Sequence, residues 1–276
     1  MFFLAHTPRA PLRRYVRALW YCRAPQIEYP RERILPSGCA QFVFALSRHY
    51  LLDVSEAGEE RCAAPALLVG QRSSYEIVAT SDFAGLIGVV FEPAVLPALV
   101  MDRADLFSER NIPLEDFWGC KATALLEKLR EVSQPELALE CLAQFLLAEF
   151  VPRLQQARFA LHPAVEFALE QFRSAPSVAA IADVARRTGW SQRRFSQIFR
   201  EQVGFRPKAW CRIARFQRAV QQLHAGREIR WAEVAAECGF YDQSHLANEF
   251  RAFSGINLSS YQSAQPRKWA NHLPTA

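Results

Sequence analysis

Hydrophobic and polar positions follow two different periods along this chain. Up to about residue 92, short apolar or alternating runs lie between Pro, Gly and Ser residues, a pattern typical of strands in a compact sheet or barrel. These runs cover residues 41–46, 66–70, 74–78 and 86–91. After Pro93 the apolar positions recur at helical spacing, which predicts helices over 94–101, 121–132 and 135–157. The pattern therefore predicts a mostly-β, barrel-like or cupin-like region followed by helices.

The predicted helix over residues 137–150 is apolar over a wide surface. One stripe contains Leu137, Cys141, Phe145 and Ala148, and its neighbour contains Leu142, Leu146 and Glu149. An apolar surface of this width needs a partner, which is either the sheet of the same chain or a second subunit. The pattern leaves both partners open.

A helix-turn-helix pattern occurs twice near the C-terminus. In each unit a short helix ends at a glycine, Gly189 or Gly239, and glycine tolerates the left-handed conformation of a helix C-terminus. Ser191 or Asp242 then occupies the N-cap of a second helix. Equivalent positions are 50 residues apart before the turn and 51 after it, because the second turn has one extra residue. In the first unit the positions predicted to face the core are Phe195, Ile198, Phe199 and Val203.

The second helix of each unit carries a polar stripe on the face opposite its apolar positions. In the first unit the stripe is Gln192, Arg193, Ser196, Gln197 and Arg200, and in the second it is Gln243, Ser244, Ala247, Asn248 and Arg251. Guanidinium and amide groups hydrogen-bond the edges of guanine and adenine in the major groove. A solvated face on an ordinary helical hairpin is the alternative for one unit, but two matching units in register favour DNA reading.

The last hundred or so residues resemble the DNA-binding domain of AraC-family bacterial transcription regulators. Residues 239–251, GFYDQSHLANEFR, with Gly255 and Tyr261, are similar to the family signature G-F-x-D-x-S-x-F-x-x-x-F-[KR]-x-x-x-G-x-x-P-x-x-Y. Leu246 and Leu258 depart from it but stay apolar. The resemblance implies seven helices, in which a long helix over residues 207–223 joins the two helix-turn-helix subdomains.

The resemblance also implies which side chains contact bases. The family's base-contacting positions correspond to Arg193, Ser196, Gln197, Gln243, Ser244, Ala247 and Asn248, of which Ala247 offers only a methyl group. Residues 35–39, 68–70 and 88–93 further resemble a sensor-like domain found in many AraC-type proteins. There the last element is more often followed by two glycines, whereas this chain has Ala94 and Val95.

Charge divides the chain into the same two parts. Residues 1–150 carry 15 Lys and Arg against 19 Asp and Glu, whereas residues 151–276 carry 18 against 9. A basic C-terminal part neutralises phosphates and an acidic N-terminal part does not. We therefore predict a multidomain α+β protein. It has a sensor or oligomerisation domain over 1–158 (β-rich to about 92, helical after), an all-α DNA-binding domain over 159–265 and a tail over 266–276.

The sequence contains little that indicates catalysis, a metal or a cofactor. Seven widely spaced cysteines without a C-x-x-C pair are typical of reduced thiols in a cytoplasmic protein. His6 and His49 are the only histidines before residue 150, too few for a metal-binding cupin. There is no nucleophile elbow, phosphate loop, signal peptide or apolar run long enough for a membrane span. We expect no catalytic residue, no metal and no cofactor.

These patterns predict a sequence-specific transcription regulator that binds double-stranded promoter DNA. RNA polymerase, a small-molecule effector at the N-terminal domain and a second copy of the chain are its candidate partners, and no ligand can be named. Arg33, Arg48 and Arg72 are candidates for an anionic effector, although ordinary surface arginines are the simpler interpretation. The alternative function is a DNA-modifying or alkyl-transfer enzyme that carries the same type of reader. Such an enzyme needs a zinc-bound cysteine cluster, and the isolated spacing of Cys22, Cys39 and Cys62 disfavours one.

Overall fold

The computed structural model describes residues 2–24, 29–47, 51–54, 60–80, 85–154, 161–174, 176, 178–224, 230–264 and 271–275. Arg48, His49 and the predicted domain boundaries near 158 and 265 lie outside these residues. Within them the chain forms a β-rich N-terminal region with appended helices and a helical C-terminal region, which confirms the predicted fold class.

The strands make two antiparallel sheets. They are β1 (Phe2–His6), β2 (Val16–Arg23), β3 (Arg31–Ile34), β4 (Gln41–Ala45), β5 (Leu52–Val54), β6 (Glu60–Cys62), β7 (Ala66–Val69), β8 (Glu76–Ala79), β9 (Leu86–Phe91), β10 (Asn111–Pro113) and β11 (His272–Thr275). One sheet has the order β1-β2-β9-β4-β7-β10 and the other β11-β3-β8-β5-β6. In the first sheet β2 and β4 pair with β9 on either side, so β9 is mostly buried.

Gly88 allows a close approach between strands β2, β9 and β4 of the larger sheet. A Cβ atom there would lie 2.4 Å from the Trp20 ring and 2.6 Å from the carbonyl oxygen of Phe42. Only hydrogen fits in that space, so the glycine allows the indole to cross β9.

The larger sheet has a different core on each face because successive side chains of a strand alternate. Leu19 and Tyr21 of β2 pack in a core with the following helices, whereas Trp20 and Cys22 belong to a small cluster on the opposite face. The helices are α1 (Leu96–Val100), α2 (Glu115–Trp118), α3 (Cys120–Glu131), α4 (Pro135–Phe145) and α5 (Val151–Leu154), with a π-helical turn at Leu146–Phe150.

Much of the wide apolar surface of α4 packs inside its own domain. Leu139, Leu142 and Leu146 are buried in the core with the larger sheet, so the sheet of the same chain is a partner of this helix. Leu137 lies outside the core and is 55% exposed. The predicted helix over 135–157 is interrupted by the π-helical turn and is described as far as Leu154.

The C-terminal region has seven helices among its described residues, the number that the resemblance implies. They are α6 (Pro163–Ser174), α7 (Val178–Arg187), α8 (Gln192–Val203), α9 (Pro207–His224), α10 (Trp231–Cys238), α11 (Gln243–Ser254) and α12 (Leu258–Ala264). The long helix α9 buries Trp210, Ile213, Val220 and Leu223 as predicted. These four residues belong to a single core that also contains residues of α8 and α11.

The end of the chain returns to the N-terminal domain. Strand β11 pairs with β3 and forms one edge of the smaller sheet, and the Leu35 N–H donates to the Asn271 carbonyl over 2.8 Å. The buried carboxylate of Glu32 accepts from Tyr29 over 2.5 Å and lies 2.9 Å from Nδ1 of His272. The segment predicted only as a tail is therefore part of the smaller sheet.

Candidate nucleic-acid interface and internal cavity

The two helix-turn-helix units are built with the same caps. The Ser191 hydroxyl accepts from the Arg194 N–H over 3.3 Å at the start of α8, and the Asp242 carboxylate accepts from the His245 N–H over 2.7 Å at the start of α11. A side-chain acceptor here satisfies a backbone donor that has no partner within the helix. The predicted caps are therefore confirmed in both units.

The inner faces of α8 and α11 hold the units together. Phe195, Phe199 and Val203 of α8 are fully buried, as are Leu246 and Phe250 of α11. Ile198, predicted to face the core, is only half-buried. Because each inner face is anchored in one core, the opposite face of each helix points outward.

The predicted polar stripes lie on these outward faces. In α8 the side chains of Gln192, Arg193, Gln197 and Arg200 are exposed and Ser196 is half-buried, while in α11 Gln243, Ser244, Asn248 and Arg251 are exposed and Ala247 is half-buried. Both stripes are therefore accessible except where another part of the chain covers them. Their contacts to bases stay a prediction.

We call α8 and α11, which carry the two polar stripes, the reading helices. Each contains one acidic residue, and that residue is paired with an arginine. Arg212 of α9 binds Glu249 of α11 through two hydrogen bonds of 2.7 and 2.8 Å. Although burial raises the pKa of Glu249, the hydrogen bonds from Arg212 bring it below its ordinary value. In α8, Glu201 lies 3.7 Å from Arg103 of the N-terminal domain. Pairing these carboxylates lessens their repulsion of a phosphate backbone.

Tyr241 is a surface residue that sequence reasoning missed. It lies in the turn between the end of α10 and the cap of α11, and it is 92% exposed. Its N–H donates to Nδ1 of His245 over 3.2 Å, which orients the turn. An aromatic residue in the turn directly before a reading helix is the signal that could have identified it.

A cavity of about 540 Å³ lies between the two sheets. Its walls are mostly apolar and include Phe3, Trp20, Val43, Leu67, Val78 and Leu86. Its polar groups include Gln217, Gln221 and His224 of α9, and Asn271 and His272 of the C-terminal segment. The Gln217 amide donates to the Pro36 carbonyl over 2.7 Å, so α9 is attached to the N-terminal domain beside the cavity.

The cysteine side chains described in the structure are free thiols. Burial raises the pKa of Cys22 and Cys211 to about 12 and that of Cys238 to about 11, so these groups stay protonated at neutral pH. The thiolate is the form that attacks electrophiles and binds metals. Among the described side chains, no group of three or more His, Cys, Asp or Glu residues is arranged to hold a metal ion.

In the part of the chain that the structure describes, no helix has the length and apolar character needed to cross a bilayer.

Two family models match separate parts of the chain. The family model described as a helix-turn-helix domain matches residues 184–264, and that of a domain of unknown function, DUF6597, matches residues 4–113. No curated protein matches the chain.

Similar solved structures are those of ToxT from Vibrio cholerae. ToxT of strain O395 is 11% identical over 96% of this chain and 98% of its own, with a TM-score of 0.45. Wild-type ToxT of strain SCE256, bound to an unsaturated fatty acid, is 10% identical over 94% of both chains, with a TM-score of 0.47.

The helix-turn-helix match begins near the end of α7 and continues through α12, so it includes α8, α11 and the long helix α9 that joins the two units. The C-terminal part of the chain is therefore a helix-turn-helix domain of the AraC type.

Proposed function

We propose that this regulator inserts α8 and α11 into two adjacent major-groove segments of a promoter in the cytoplasm, under the control of a small molecule bound between the two sheets. The observation that carries the proposal is that the same helix-turn-helix unit occurs twice. Two helices with matching caps and buried faces present matching polar stripes from a shared core. Two readers on one rigid core select a longer DNA sequence than either reader alone.

The charge of the chain supports DNA as the partner. The C-terminal part has the excess of Lys and Arg, and each reading helix has its acidic residue paired with an arginine. Arginine and the helix N-termini supply donors for phosphates, while the amide groups of Gln192, Gln243 and Asn248 supply donors and acceptors for base edges.

The binding of DNA is expected to weaken steeply with salt. Each neutralised phosphate releases counterions, so a chain that makes about six phosphate contacts loses roughly a thousandfold in affinity between about 50 and 200 mM salt. Fluorescence anisotropy with a labelled duplex over a salt series measures this slope. An affinity that does not change with salt would contradict phosphate neutralisation by this domain.

The cavity supports an amphipathic, mostly apolar effector. Its volume falls within the range of small-molecule sites, about 300–1,000 Å³. The apolar walls would bury a hydrocarbon or aromatic body, and the polar groups of α9 and the C-terminal segment would bind its polar end. Because α9 also joins the two helix-turn-helix units, an occupant that contacts Gln217 or His224 touches the DNA-binding domain directly.

Ala18→Phe is expected to remove most of the binding of the apolar dye 1-anilinonaphthalene-8-sulfonate, because Ala18 lines the cavity and the larger side chain fills it. Ala124→Phe, on the exposed face of α3, is the matched control and should retain binding. Dye titration, with thermal unfolding to check the fold, measures the difference. Equal binding by both folded variants would mean that the dye does not enter the cavity.

A second copy of the chain and RNA polymerase are further proposed partners. Leu137 on α4 is an exposed apolar side chain beside the half-buried Cys141 and Phe145, which favours this helix as a dimer surface. Sedimentation of the full chain at tens of micromolar tests self-association, and a monomer there would argue against it.

The alkyl-transfer alternative has less support. The raised pKa of the Cys22 thiol and the burial of Cys39 disfavour an acceptor cluster, and the side chain of Cys62 lies outside those the structure describes. Stoichiometric zinc in the purified protein would favour the enzyme.

A further inference from the structure

The N-terminal domain contacts the last turn of one reading helix through a carboxylate. Asp105, in the short helix Ala104–Leu106, lies 3.0 Å from Nε of Arg200 on α8. Its side chain is only 3% exposed, and Arg103 holds it with hydrogen bonds of 2.9 and 3.0 Å. Arg200, a member of the predicted polar stripe, therefore already has an anionic partner.

Two further side chains of the N-terminal domain bind the end of the same helix. The Gln71 amide donates to the Val203 carbonyl over 2.8 Å, and the Ser108 hydroxyl donates to the Gly204 carbonyl over 3.1 Å. The last carbonyls of a helix lack partners within it, so these donors satisfy groups that otherwise need water. A Cβ on Gly204 would lie 2.6 Å from the Ser108 hydroxyl, which shows how closely the two domains fit there.

The repeat supplies an internal comparison. Arg251 occupies in α11 the position that Arg200 occupies in α8, 51 residues earlier. Among the described residues, no carboxylate forms an ion pair with Arg251. The end of α11 meets Tyr75 instead, whose N–H donates to the Phe253 carbonyl over 3.0 Å. Arg200 is therefore paired with an acid of the N-terminal domain, whereas its counterpart Arg251 has no such ion pair among the described residues.

We propose that Asp105 competes with a DNA phosphate for Arg200, so that the N-terminal domain restrains the first reader until the contact opens. Carboxylate and phosphate bind a guanidinium through the same charge-assisted hydrogen bonds, so one can replace the other. The proposal rests on the proposed function, in which α8 is a reading helix.

The contacts around Asp105 continue to the cavity. Arg72, next to Gln71, binds Glu76 over 2.7 Å and Asn111 over 2.8 Å, and both of these residues line the cavity. Arg72 also donates to the Glu109 carbonyl, one residue from Ser108. An occupant of the cavity that displaces Glu76 or Asn111 would disturb their hydrogen bonds to Arg72. Arg72 lies next to Gln71, which binds the end of α8, so an effector in the cavity could weaken the contact between the N-terminal domain and α8.

The test is Asp105→Asn in the full chain, measured by anisotropy on a DNA duplex. Loss of the competing charge is expected to tighten binding about tenfold, in the range of one charge-assisted hydrogen bond. It should also steepen the dependence of log K on log salt by about 0.9, as one more phosphate contact requires. Glu127→Gln on α3 removes the same charge from an exposed position away from this contact and should leave both values unchanged.

Two further variants separate the proposal from a general loosening of the fold. In an Arg200→Ala background, Asp105→Asn should no longer change affinity, since its effect acts through Arg200. Ser108→Ala removes a second contact to the same helix end and should tighten binding severalfold, which keeps the test valid if Asp105→Asn fails to fold.

Failure of the restraint by Asp105 and failure of DNA reading by α8 and α11 give different results. If Arg251→Ala weakens binding but neither Asp105→Asn nor Ser108→Ala tightens it in folded protein, the restraint is overturned and DNA reading stands. If Arg200→Ala and Arg251→Ala both leave DNA binding unchanged, the reading faces themselves are overturned, and the restraint with them.

Discussion

Replacing Phe250 by alanine is expected to lower the free energy of unfolding by about 3–5 kcal/mol. Phe250 is fully buried, and its ring centroid lies 5.3 Å from that of Phe216 on α9 and 5.1 Å from that of Tyr261 on α12. The substitution leaves a cavity at a point where three helices meet, and packed helices close such a cavity only in part. Chemical denaturation monitored by circular dichroism measures the loss.

Phe199→Ala is the matched variant in the first unit. Phe199 is also fully buried, and its ring lies 5.8 Å from that of Phe172 on α6. Both substitutions should destabilise the same unfolding transition, because the two units share one core. A loss below about 1 kcal/mol for both would contradict the packing described for the reading helices.

Replacing Arg193 and Gln243 together by alanine is expected to weaken binding to a preferred DNA site by about 2–6 kcal/mol. Each side chain is exposed on a reading helix, and a good contact to a base edge discriminates by about 1–3 kcal/mol. The two residues belong to different units and share no partner among the described contacts, so their effects should add. Binding isotherms for both single variants and the double variant measure this.

The base preference of these variants distinguishes contacts to base edges from contacts to phosphates. Arg193→Ala should relax the preference at one base pair and Gln243→Ala at another, about one helical turn away. A uniform loss across all DNA sequences, with every preference retained, would mean that the two side chains bind phosphates only.

The pattern of apolar and polar residues correctly predicted those strands, helices and caps that depend mainly on residues close together in the sequence. The strands predicted over 41–46, 66–70, 74–78 and 86–91 correspond to β4, β7, β8 and β9, with ends that differ by at most two residues. The long helix α9 and both N-caps were also predicted, because caps and apolar spacing are local signals.

Strands β3 and β11 were not predicted, because their pairing depends on distant segments. β3 has the sequence Arg-Glu-Arg-Ile and β11 His-Leu-Pro-Thr, neither of which has the apolar run of a buried strand. β11 pairs with a strand some 240 residues earlier, and no local pattern carries that information.

The partner of Arg200 could not be predicted for the same reason. The polar stripe predicts that Arg200 is exposed and faces DNA, and the structure places it on the exposed face of α8. Its ion pair with Asp105 depends on how the two domains pack together, and this cannot be predicted from the sequence of α8.

The most direct test of two-helix reading is selection of DNA by the full chain from a random-sequence pool, followed by hydroxyl-radical footprinting of the selected site. Two readers on one core predict two blocks of preferred bases, centred about 10–10.5 base pairs apart, with protection on one face of the duplex. A single block of preferred bases, or protection without any base preference, would contradict reading by both helices.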